Sequence, residues 1–225
     1  MLKQIYGRLL AEYGAQGWWP VTKKEKPEYS GGPKTEKQQL EVIFGAILTQ
    51  NTSWKNAEKA IIELNRRRLI DIDRMLEIHA DKLALAIKSS GYFNQKAKKL
   101  KNVAALLKKH PLKELEKLEI KKLRLLLLSV EGIGPETADS IILYALRKPV
   151  FVVDTYTKRI FSRVGLIDKK RDYDDVQRFF HSKLKKDEKL FNEYHALIVE
   201  HAKRYCRKEP LCKNCIVNSF CKAAK

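Results

Sequence analysis

Residues 125–141 read Leu-Leu-Leu-Leu-Ser-Val-Glu-Gly-Ile-Gly-Pro-Glu-Thr-Ala-Asp-Ser-Ile. A leucine-rich helix over 118–130 is broken by Glu131-Gly132-Ile133-Gly134. Pro135 then suits the first position of a second helix over about 135–146, because its missing N–H would have no partner there and its fixed φ is already helical. The two glycines permit positive φ and close backbone approach. Exposed amides of the turn, with the N-terminus of the second helix, make an anion site suited to a DNA phosphate. Gly132, Gly134 and Thr137 are therefore candidate DNA contacts. Such contacts position a protein on a duplex without reading its sequence.

The composition fits that partner. Lys plus Arg number 46 against 27 Asp plus Glu, a formal net charge of +19 in 225 residues. Double-stranded nucleic acid is the polyanion expected to meet such a surface. No run approaches the ~18 apolar residues of a membrane span, and the first residues lack a signal-peptide core. A cytoplasmic protein that meets DNA and no membrane is expected, as a monomer.

Outward from the hairpin the chain reads as helices. Apolar residues recur at helical spacing over 3–13, from Leu40 to Leu48, from Trp54 to Leu64, over 72–78 and 81–88, and over 93–109 with lysines outward. Beyond the hairpin, Val150-Phe151-Val152-Val153 is a short extended link. Asp154-Thr155 can cap the helix after it, and further helices fit 173–184 and 188–204. Residues 14–39 hold three prolines and the pair Trp18-Trp19 and read as irregular. No strand set would build a sheet, so the fold class is all-α.

The four cysteines fall in sixteen residues, Cys206-x5-Cys212-x2-Cys215-x5-Cys221. In a reducing compartment, thiols so spaced read as metal ligands. A four-sulfur set suits zinc or an iron–sulfur cluster, and spacing alone does not separate them. A closed four-ligand site has no open position for substrate, so its role would be structural or redox.

Taken in order, Gly-Ile-Gly-Pro-Glu-Thr-Ala at 132–138, Val-Val-Asp-Thr-Tyr-Thr-Lys-Arg-Ile-Phe-Ser-Arg-Val-Gly-Leu at 152–166 and the four-cysteine loop resemble the helix-hairpin-helix DNA glycosylases of the endonuclease III group. The resemblance runs from about Leu40 to Cys221. It implies two helical lobes flanking a DNA-binding cleft. One is a six-helix barrel over 36–143 that includes the hairpin. The other joins 1–35 to 144–225 and carries a [4Fe-4S] loop at 206–221, zinc being the alternative. The first cysteine interval is five residues here and six in the group.

The group's catalytic aspartate matches Asp154. The residues support the same choice, since Asp154 follows an apolar run and heads a helix whose dipole favours its ionised form. A fixed carboxylate can stabilise the positive charge that develops on the sugar and orient or deprotonate the attacking water. Gln50, with Asn51 beside it, matches the glutamine that fills the gap left by a flipped base. The lysine nucleophile of the bifunctional members is replaced by Glu136, and a carboxylate cannot form a Schiff base. A monofunctional DNA N-glycosylase of base excision repair is expected.

Within the group, Trp18-Trp19-Pro20, Leu48-Thr49-Gln50-Asn51-Thr52 and residues 90–100 are most similar to the endonuclease III-like 3-methyladenine glycosylases. That likeness implies an alkylated purine as substrate, with Trp18 and Trp19 walling the base pocket. Stacking on an aromatic face suits a cationic base. Leu40 stands where that subgroup has an aromatic residue, and its reference member lacks the cysteines. The alternatives are a bifunctional glycosylase/AP lyase on oxidised pyrimidines, a mismatch thymine or uracil glycosylase, and a non-catalytic damage-binding protein.

Overall fold

The computed structural model describes residues 1–224; Lys225, at the end of the expected second lobe, lies outside them. It holds two compact units, Trp19–Lys148 and a discontinuous one of Met1–Trp18 with Pro149–Lys225. The division expected from the sequence placed its cuts after residues 35 and 143. Among the described residues the secondary structure is helical apart from one short ribbon.

That ribbon opens the Trp19–Lys148 unit. Strands β1 (Val21–Lys23) and β2 (Lys26–Glu28) pair antiparallel, with Val21 opposite Glu28. Lys24 and Glu25 both take positive φ at the bend (47° and 60°). Two such residues make the hairpin turn that usually selects Asn-Gly, so the sequence carried no signal for it. The ribbon is tied down by the buried Glu41, which accepts from the Thr22 amide at 2.6 Å.

Helix α2 (Glu36–Leu48) starts on Thr35, whose side chain caps the Gln38 amide. From Leu40 onward every residue of α2 is buried, as befits the central helix of the unit. Around it lie α3 (Trp54–Arg66), α4 (Ile72–Glu77), α5 (Ala80–Ala86), α6 (Phe93–Lys109), α7 (Leu112–Leu115), α8 (Ile120–Leu128) and α9 (Pro135–Ser140). The helix begun by α9 continues as a π-helical turn over Ile141–Ala145. Gly45 on α2 lets an indole pack close to the backbone: a Cβ there would come within 3.2 Å of the Trp19 ring. Trp19 packs edge-on with Trp54 and Tyr144, at 5.6 and 5.3 Å between ring centroids. With 5% of its surface exposed, Trp19 is a core residue of this unit.

The second unit holds α1 (Leu2–Tyr13), α10 (Thr155–Val164), α11 (Tyr173–Lys183) and α12 (Glu188–Arg204). Its centre is aromatic. Phe151 stacks on Phe180 at 4.0 Å and meets Phe191 edge-on, while Phe161 stands edge-on to Phe180 at 4.9 Å. Such offset and edge contacts add roughly 0.5–1.5 kcal/mol each beyond burial. Residues 150–153 are buried and belong to neither a helix nor a strand. Side chains of α11 meet part of their hydrogen-bonding need. The Phe151 amide donates to His181 Nε2 (2.9 Å), its carbonyl accepts from Gln177 Nε2 (2.7 Å), and the Val153 amide donates to the Tyr173 hydroxyl (3.3 Å).

The structure corrects the expected metal centre and the iron–sulfur part of the expected fold. Among the described residues no group of three or more His, Cys, Asp or Glu is arranged to hold a metal ion. Neither a [4Fe-4S] cluster nor zinc is therefore assigned to Cys206, Cys212, Cys215 and Cys221. All four are free cysteines lining one largely apolar pocket. Three of the sulfurs make separate contacts with protein groups: Cys206 with the Arg163 guanidinium at 3.3 Å, Cys221 with the Arg163 carbonyl at 3.3 Å and Cys215 with His201 Nε2 at 3.5 Å. Arginines hold the loop itself. Arg159 donates to the Cys206 carbonyl, Arg163 to those of Arg207 and Lys208, and Arg8 to that of Ile216. Guanidinium groups that fork onto loop carbonyls can fix an irregular segment through charge-assisted hydrogen bonds. The spacing of the cysteines was thus legible, but which groups would engage their sulfurs was not.

Candidate functional site

In the Trp19–Lys148 unit, the turn between α8 and α9 forms one side of a pocket. Gly132 has φ of +95°, a conformation few side chains tolerate, and a Cβ there would strike the Lys99 stem at 2.4 Å. Glycine is needed at 132 on both counts. Gly134 differs: it is extended (φ −92°, ψ 177°), and a Cβ would meet nothing within 4 Å. It is the N-cap of α9 and offers no side chain to its amides, with Pro135 next in line as expected.

The five DNA-contact candidates, Gln50, Asn51, Gly132, Gly134 and Thr137, line this one pocket together with Lys99 and Glu136. Gln50 is engaged at both ends of its amide. Its Nε2 donates to Thr137 Oγ1 (2.9 Å) and to the Gly132 carbonyl (3.2 Å), and its Oε1 accepts from Lys99 Nζ (2.6 Å). Asn51 sits at positive φ of 50°, so the chain bends sharply just past Gln50. The two hairpin helices are joined by an ion pair, Arg124 Nε to Asp139 Oδ1 at 2.9 Å, with the Asp139 side chain fully buried.

Lys96 departs from the lysines-outward reading of α6. It is 1% exposed, and its Nζ donates to the carbonyls of Leu48 (2.8 Å) and Ser90 (2.7 Å). Leu48 is the last residue of α2 and its carbonyl lacks a helical partner. A buried ammonium thus closes the helix that leads into Gln50. Burial, with Lys99 nearby, lowers its pKa to about 8. The signal was available: Lys96 lies on the same stripe as Leu100, Val103 and Leu107, four, seven and eleven residues on.

In the other unit Asp154 is 8% exposed and is the N-cap of α10. Its Oδ1 accepts from the Thr157 amide (2.7 Å) and the Thr157 hydroxyl (2.8 Å). Its Oδ2 lies 3.6 Å from His195 Nε2 on α12. Burial pushes the carboxyl upward, but His195 and the two Thr157 donors outweigh it and leave the group below its usual value. The site therefore holds a desolvated carboxylate that is nonetheless ionised at neutral pH. His195 was not singled out in the sequence, because its pairing spans 41 residues between two helices. Of the expected base-pocket residues, Trp19 belongs to the core described above, and Trp18 is half-buried.

Residues 44–186 match the model of the HhH-GPD superfamily base excision DNA repair proteins. The chain belongs to this superfamily. A protein of Methanocaldococcus jannaschii provisionally named a DNA repair glycosylase is 45% identical over 225 residues, which cover 98% of this chain and 96% of the relative. Endonuclease III of Sulfolobus acidocaldarius is 32% identical over 182 residues, 80% of each chain. Among solved structures, a 3-methyladenine DNA glycosylase of H. pylori bound to 1,N6-ethenoadenine superposes with a TM-score of 0.69. It is 28% identical, and the match covers 90% of this chain and 95% of that one. The chain is thus a DNA-binding base excision repair glycosylase that acts on damaged bases. No helix among the described residues is long and apolar enough to cross a membrane.

Proposed function

We propose that the protein breaks the N-glycosidic bond of a damaged base held outside the duplex, with Asp154 as the carboxylate that stabilises the sugar cation and directs water to C1′. The observation that carries this reading is a buried carboxylate kept ionised at a helix start, with Oδ1 committed to the cap and Oδ2 turned from it. A desolvated anion stabilises developing positive charge far more than one in water, because no solvent must reorganise. The hairpin pocket, with Gly132, Gly134 and Thr137, would take a backbone phosphate. Gln50 and Asn51 would fill the void left by the flipped base.

For the base itself, the names of the relatives weigh against the alkylated-purine expectation. An endonuclease III-type reading is supported better: release of an oxidised pyrimidine, then strand cleavage at the abasic site. Glu136 occupies the hairpin position of that group's lysine, so the nick calls for another amine. Lys99 lines the same pocket as Glu136 and is a candidate to supply it. Glu136 itself favours the second reading, hydrolytic release of a purine such as 3-methyladenine with no nick. The packing of Trp19 supports an anchor more than a pocket wall in either case.

The two readings part on one assay. The protein is incubated with duplexes carrying methylated adenine, thymine glycol, uracil or a G·T pair, and free base and strand breaks are measured before and after alkali. Release of thymine glycol with breaks before alkali supports the endonuclease III reading. Methylated adenine released with breaks only after alkali supports the other. Asp154→Asn is expected to lower release by roughly 10²–10³ or more while DNA affinity holds. Near-native release by that variant sinks the role of Asp154.

A further inference from the structure

The carboxylate of Asp154 has about four lone-pair positions, two on each oxygen. Thr157 fills both on Oδ1, through its amide and its hydroxyl. On Oδ2 one direction faces His195 Nε2 at 3.6 Å. An unprotonated ring nitrogen facing a carboxylate oxygen would be repulsive, so a proton lies between them. With the carboxyl held in its ionised form, that proton belongs to Nε2. One lone pair of Oδ2 is then left without a protein donor.

We infer that His195 is a positioning residue for base release. Its Nε2–H occupies one side of Asp154 Oδ2, keeps the buried carboxyl ionised and leaves a single lone pair for the attacking water. This rests on Asp154 being the catalytic carboxylate. In the step, the water oxygen bonds to C1′ as the C1′–N bond breaks, and the base leaves with the electron pair. The water proton passes to the free lone pair of Oδ2. His195 gives up no proton and touches neither water nor sugar. The separation of 3.6 Å is just beyond a hydrogen bond, and such contacts commonly tighten when substrate binds.

The groups around the pair permit a clean test. From α11, Tyr173 takes the neighbouring Val153 amide through its hydroxyl. On α10, Thr157 is the donor to Asp154, and the next charged residue, Lys158, is engaged with the Arg171 carbonyl. From α12, His195 is the side chain that meets the carboxylate. Changes in the acid limb of activity on altering His195 therefore report on Asp154.

Two variants separate positioning from packing. His195→Leu fills the space without an N–H, and His195→Gln restores a donor. Single-turnover base release is measured from pH 4 to 9 on methylated-adenine and thymine-glycol duplexes. The carboxyl-carbon resonance of Asp154, identified by its loss in Asp154→Asn, is titrated in parallel without DNA. His195→Leu is expected to slow release at least tenfold at pH 7, to move the acid limb of the rate and the Asp154 midpoint upward together, and to leave DNA affinity unchanged. His195→Gln is expected to recover most of both. An Asp154 midpoint that stays put in His195→Leu, or a Gln variant no better than Leu, overturns the inference. If Asp154→Asn still releases base, the catalytic role of Asp154 fails and this inference with it. If Asp154→Asn is inert while both His195 variants behave natively, only the inference fails.

Discussion

Two helix starts in this protein solve the same electrostatic problem in opposite ways. Each carries unsatisfied amides and a partial positive charge. At α10 the chain fills the position itself: the Asp154 carboxylate takes the Thr157 amide and hydroxyl. At α9 the cap is Gly134, which has no side chain to give. The first start is closed and holds a buried carboxylate in one orientation. The second is open and suits an anion from outside. An open start needs a firm frame, since nothing local holds it; a closed start carries its own.

The sharpest way to break the open start is to remove its frame. Arg124→Met removes the guanidinium from the fully buried Asp139, and loss of one member of a buried pair costs up to roughly 3–5 kcal/mol. Urea unfolding should show that loss, and DNA affinity should fall with it. Asp154→Asn, which keeps an oxygen for capping, should cost far less stability and leave affinity intact. If the two variants are equally destabilised, the contrast between framed and self-capped starts is lost.

A second test concerns the helix end beside the open start. Lys96 titrates near 8 in the folded protein and near its ordinary value of 10.5 when unfolded. Between those values the unfolded chain binds more protons, so stability rises with pH. Below pH 8 both states are charged, and the cost of the buried ammonium is present in full. Native protein should therefore gain up to about 3 kcal/mol relative to Lys96→Met as pH climbs from 8 to 10.5. A flat difference over that window would mean the amine is not desolvated as its surroundings imply.

The smallest effects compare the two hairpin glycines. Gly132→Ala forces a side chain into positive φ and onto the Lys99 stem, and should cost about 1–3 kcal/mol with weaker DNA binding. Gly134→Ala meets no neighbour and should change stability by less than about 1 kcal/mol. Differential scanning calorimetry on the pair resolves the difference, and equal losses would show that close approach at 132 is not what selects glycine.

Much of this was readable from local pattern. Helices α6 and α12 fall on the expected residues, and the Gly-x-Gly turn and the Asp154 cap are where proline, glycine and aspartate chemistry put them. What escaped was set by distance or by strain. The ribbon at 21–28 turns on Lys24 and Glu25, two residues with no preference for its geometry. The π-helical turn after Ser140 has no marker in the apolar run that forms it. Lys96 lies on an apolar stripe in a lysine-rich helix, and the carbonyls that receive its ammonium, those of Leu48 and Ser90, come from other segments. The Asp154–His195 contact joins residues that neither spacing nor composition connects. The cysteine spacing was plain, and it still misled, because the sequence does not say that arginines would clasp that loop.

The stretch 150–153 leaves one more lesson. It is buried backbone in neither helix nor sheet, splinted by Gln177, His181 and Tyr173 from a helix some twenty to thirty residues later. Asp154 stands at the end of that splint. Its aim is therefore inherited from three side chains of α11, and a relative that trades one of them for a residue of another shape would keep its aspartate and lose its bearing.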